Sequence, residues 1–79
     1  MRLDKFLKVS RIIKRRTLAN EACDKGHVSL NGKLAKASSE VKIGDTISIR
    51  FGEKLTTLKV NSILENPKKD ESMQMYELQ

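Results

Sequence analysis

Seven cations stand within the first sixteen residues: Arg2, Lys5, Lys8, Arg11, Lys14, Arg15 and Arg16, with Asp4 the one acid among them. Guanidinium and ammonium groups donate charge-assisted hydrogen bonds to oxyanions, and a guanidinium can grip two phosphate oxygens at once. The chemistry on offer is therefore the binding of a polyanion. Arg2, Arg11 and Arg16 suit positioned contacts better than the lysines do. The charge is also local. The chain has 79 residues and a net charge of +6, yet residues 17–66 hold seven bases against six acids and residues 67–79 two against three. A one-sided field of this kind favours nucleic acid first and an anionic membrane surface second.

Other chemistries lack their residues. One histidine, His27, and one cysteine, Cys23, cannot form a disulfide within the chain or a four-ligand zinc site. Cys23 reads as a small buried hydrophobe, and a lone thiol fits a reducing cytosolic compartment. Nothing pairs Ser38-Ser39 with a base, and no acid–base or nucleophile constellation is visible. Catalysis, a cofactor and a metal are not expected. The N-terminal apolar residues are broken by Lys or Arg every two or three positions, so no secretory h-region is expected, nor any span long enough for a bilayer. The aromatics are Phe6, Phe51 and Tyr76, and two of them fall on expected core faces. That is a poor platform for stacking bases, so recognition of a structured nucleic acid through backbone and shape is expected.

Short elements must hold these cations in place. Leu3, Phe6, Leu7 and Ser10 share one face of a helix, and Asp4, Lys5, Lys8 and Arg11 the opposite one. Residues 3–10 read as that helix, with RIIKRR as a turn that tucks Ile12 and Ile13 inward. Thr17 reads as the N-cap of a second helix. Leu18, Ala19, Ala22 and Cys23 form its apolar arc, and Gly26 ends it. Val28-Ser29-Leu30 alternates before Asn31-Gly32, the strongest short hairpin signal, and Lys33-Leu34 begins the return. Residues 35–42 read as a loop. Thr46 to Phe51 alternates strictly, with Ile47, Ile49 and Phe51 on one side, and Leu55 to Leu64 supplies another strand. The class is α+β: two short N-terminal helices packed on a small, largely antiparallel sheet of about four strands. Residues 1–66 are expected to form the domain. Residues 67–79 are expected to be a polar, flexible tail, with Met73, Met75, Tyr76 and Leu78 as frayed or weakly packed residues or a partner-docking segment. On the surface, Arg2, Lys5, Lys8, Arg11, Lys14, Arg15 and Arg16 form a basic face, which His27, Asn31 and Lys33 extend towards the hairpin.

Three segments resemble a known family. R-L-D-K-F-L at 2–7, R-x-T-L-A-x-x-A-C at 15–23 and G-H-V-S-L-N-G at 26–32 are similar to the S4-type RNA-binding domain. The similarity extends over about residues 1–60. The run from Arg2 to Val28 is most similar to the stand-alone members, the fifteen-kilodalton heat-shock type and its shorter Gram-positive relatives in ribosome-associated quality control. The resemblance implies an S4-like (alpha-L) fold and binding to a large ribosomal subunit obstructed by a stalled chain. It implies contact with 23S rRNA and peptidyl-tRNA, cooperation with the tailing factor RqcH in adding alanine, and a cytoplasmic, ribosome-associated monomer. A general rRNA-binding role in ribosome assembly or heat-stress recycling of large subunits stays open beside it. So do an RNA-modifying enzyme fragment, for which the chain is short and lacks a reactive constellation, and a DNA- or membrane-surface binder, whose apolar helix face the core would already use.

Overall fold

The computed structural model describes residues 1–79. The first helix, α1, spans Leu3–Val9, and the predicted stripe is its buried face: Leu3, Phe6, Leu7 and the following Ser10 are all sealed from solvent. No side chain caps its N-terminus. The loop 35–42 does that work instead, because the Leu3 and Asp4 amides donate to the Ser39 and Ala37 carbonyls at 2.8 and 3.1 Å. Ala35, Ala37 and Val41 of the same loop are buried in the core. In the turn after α1, Ile13 is buried and Ile12 half-buried, as the sequence predicts.

The second helix, α2, spans Arg16–Asp24. Its N-cap is Arg15, in extended conformation, so Thr17 lies inside the first turn and makes no cap. The apolar arc is also narrower than expected: Ala19 and Cys23 are buried and Ala22 is half-buried, while Leu18 stays 47% exposed. The end is as predicted. Gly26 takes a φ of +75°, and the Gly26 and His27 amides close back on the Cys23 and Ala22 carbonyls at 3.0 and 2.9 Å. This is the paired closure in which glycine meets no steric penalty.

Strands β1 (Val28–Leu30) and β2 (Lys33–Leu34) form the predicted hairpin, with Asn31 and Gly32 both at positive φ. β3 spans Thr46–Phe51 and β4 spans Lys54–Val60. Ile47 pairs with Leu58 on the buried face. Phe51 alternates onto that face too, but it lies at the end of its strand and is 45% exposed. Strand β4 ends at Val60 rather than running on to Leu64. The Asn61 and Ser62 amides turn instead to the Met75 carbonyl, at 2.8 and 3.2 Å.

The largest correction lies after Pro67. Residues expected to be a flexible tail form a short helix, α3 (Lys69–Met73), and a fifth strand, β5 (Tyr76–Leu78). β5 lies antiparallel to β4, completing a sheet of order β2-β1-β3-β4-β5. The physical reason is one side chain. Met75 is fully buried in the same core as Phe6 and Leu58, and that anchor commits the polar residues around it. Asp70 and Glu71 sit in the first turn of α3, where a carboxylate meets the positive end of the helix dipole. No helix is long and apolar enough to cross a membrane.

Candidate nucleic-acid interface

The basic face is organised around a buried acid. Asp4 is 2% exposed although it stands on the helix face assigned to solvent. Its Oδ1 accepts from the Lys5 amide at 2.8 Å and from Arg2 Nε at 3.3 Å. Arg16 Nε lies 3.3 Å from Oδ2, and the Asn20 carboxamide donates to the same oxygen at 3.5 Å. Burial pushes the Asp4 carboxyl up. The Arg16 hydrogen bond and charge, with the Lys5 amide and Asn20, outweigh it and hold the group below its ordinary value. One carboxylate thus tethers two guanidiniums, from the N-cap of α1 and the first residue of α2. Each stays about half exposed, at 51% and 48% of its side chain. Five N–H donors per guanidinium leave spare ones for an outside phosphate. Asn20 escapes a reading of the sequence because the helical pattern places it on the outer arc of α2.

A second group of cations is unpaired. The ion pairs of the chain are Met1–Glu40, Arg2–Asp4, Lys5–Glu65 and Arg16–Asp4. Lys8, Arg11 and Lys14 enter none of them. These three line an open groove of about 310 Å³ between the end of α1, the turn into α2 and the segment 65–67. Val9, Ile13, Glu65, Asn66 and Pro67 complete its lining. Arg11 takes a φ of +64° just past the cap of α1, the position that Gly26 occupies past the cap of α2. Its amide closes on the Lys8 carbonyl and that of Ile13 on the Leu7 carbonyl, both at 3.0 Å. A residue with a side chain loses on the order of 1 kcal/mol in this conformation relative to its usual one. The guanidinium of Arg11 is therefore held at a place where glycine would be less strained.

The remaining predicted residues are more scattered. Arg15 is exposed at the N-cap of α2, His27 is exposed between Gly26 and β1, and Lys33 is exposed on the edge strand β2. No ion pair ties their side chains to Asp4. Asn31 is spent on the fold: its carboxamide donates to Asp45 Oδ1 at 3.1 Å and accepts from the Thr46 amide at 2.9 Å. Cys23 is buried, as expected, and burial, with Asp4 and Asp24 nearby, pushes its thiol up to about 11. No group of His, Cys, Asp or Glu gathers as a metal site.

A short module that displays clamped and unpaired cations from a helix pair, on an antiparallel sheet, defines a class of RNA-binding domain. The chain belongs to the S4 domain family, which it matches over residues 1–47. Its similarity to particular members runs further. It is 60% identical over 76 residues to the RQC P-site tRNA stabilizing factor of Bacillus subtilis, covering 96% of this chain and 88% of that one. It is 54% identical over 78 residues to the factor of the same name from Halalkalibacterium halodurans, covering 99% and 89%. Among solved structures, heat shock protein 15 of Vibrio cholerae superposes with a TM-score of 0.91 at 35% identity, covering all of this chain and 81% of the other.

Proposed function

We propose that this protein is a non-enzymatic RNA-binding factor of ribosome-associated quality control. It binds the large ribosomal subunit obstructed by a stalled nascent chain and steadies the tRNA in the P site. The observation that carries this reading is the buried Asp4 that fixes Arg2 and Arg16 at the junction of α1 and α2, within the part of the chain that matches the S4 domain. The names of the relatives at 60% and 54% identity supply the setting. In that setting the contacts are 23S rRNA and peptidyl-tRNA. RqcH, which adds alanine, is met through the shared ribosomal complex, and the factor works as a cytoplasmic monomer. The basic face for this task comprises Arg2, Lys5, Lys8, Arg11, Lys14, Arg15 and Arg16, with His27 and Lys33 at its margin. General rRNA binding in heat-stress recycling is less favoured, because the heat shock protein 15 structure stands at 35% identity.

The test is co-sedimentation with large subunits carrying peptidyl-tRNA. Arg2→Ala and Arg16→Ala each leave Asp4 with one guanidinium, and each is expected to release the protein from the subunit fraction. Full co-sedimentation of both variants would rule out the clamp as the binding device.

A further inference from the structure

We propose that the groove beside α1 seats a single unstacked nucleotide of the bound RNA. The unpaired cations Lys8, Arg11 and Lys14 take its phosphate, and Asn66 reads the edge of its base. This deepens the RNA-binding reading above and rests on it. Three observations converge on the groove. First, Lys8, Arg11 and Lys14 have no carboxylate partner, and the one acid in the lining, Glu65, is already neutralised by Lys5. The groove therefore complements an anion. Second, its volume of about 310 Å³ lies at the bottom of the range of roughly 300–1,000 Å³ that holds small ligands, which suits a single nucleotide. Third, the lining is not all cationic. Val9 and Pro67 are half-buried, offering apolar surface to a base, while Asn66 is exposed with both a donor and an acceptor on its carboxamide. The positive φ of Arg11 adds that a cation is kept where glycine would be easier.

The source of the nucleotide is RNA and not a free metabolite, because Lys14 of the lining leads straight into the exposed Arg15 and Arg16, where a continuing backbone finds further cations. The test uses the full chain and two RNA hairpins alike except for one extruded nucleotide, with adenosine monophosphate as a third ligand. The bulged hairpin should bind roughly tenfold more tightly than the paired one. Asn66→Ala should shrink that ratio to about twofold, as expected for loss of one or two hydrogen bonds. Arg11→Gly relieves the backbone and should melt no lower than the parent, yet bind the bulged hairpin several-fold more weakly. Equal, tight binding of both hairpins overturns the groove proposal alone, as does a preference that survives Asn66→Ala. Adenosine monophosphate binding more tightly than the bulged hairpin overturns the RNA source. Failure to bind either hairpin overturns the RNA-binding reading along with it.

Discussion

At the scale of residues, Asp4 controls how the molecule presents charge. It sits 2% exposed between two arginines, and its removal would leave both guanidiniums without their shared acceptor. Asp4→Ala should lower stability by about 1–3 kcal/mol and weaken RNA binding although it raises net charge. A urea titration and a filter-binding assay check the two effects, and tighter binding by the variant would show that charge alone governs affinity. The carboxyl is held below its ordinary value of 3.8 in the folded state. Its contribution to stability is thus complete above that value and lost as pH falls through the lower folded one. Asp4→Asn should accordingly flatten the acid limb of the melting curve below about pH 4. Part of this is legible in the sequence, since an acid in the first turn near Arg2 suggests an ion pair. Its burial is not, because periodicity sets Asp4 on the outer face and gives no sign that Arg16 and Asn20 close over it.

At the scale of elements, the C-terminal segment behaves as part of the domain. Met75 fills the core, the Ser72 hydroxyl donates to the Val9 carbonyl at 2.7 Å, and β5 pairs with β4. Met75→Ala should destabilise the protein by about 2–5 kcal/mol, the usual loss for a fully buried methionine. A shift in the urea midpoint measures it, and an unchanged midpoint would mean that the segment contributes no packing. Truncation after Pro67 should therefore impair ribosome association through the fold, whether or not a partner docks there. The helices, the Asn31-Gly32 hairpin and β3 can be read from local pattern because each carries its own periodicity or turn chemistry. α3 and β5 cannot. They are five and three residues long, and their place depends on one methionine whose burial is decided by distant strands.

At the scale of the whole molecule, the excess charge stands on the first helix and the turn after it, while the rest of the chain is nearly balanced. If roughly six phosphates are contacted, affinity for rRNA should fall about a thousandfold between ~50 and ~200 mM salt, with the duplex-DNA slope as guide. A shallow slope, fitting one or two contacts, would mean that most of these cations face solvent in the complex. The open sheet ends in β2 and β5, both very short, and short edges offer little template for unwanted strand pairing.

The bond from Ser72 to Val9 spans 63 positions of sequence. During synthesis the first helix emerges early, but the carbonyl at its end meets this hydroxyl only after residue 72 has been made. Closure of this kind depends on contacts far apart along the chain, which form late. The cationic surface is encoded first, yet the hydroxyl that ties down the end of its helix comes only at residue 72. A ribosome that halted midway through this message would hold a chain with its charges already translated and their scaffold still unwritten.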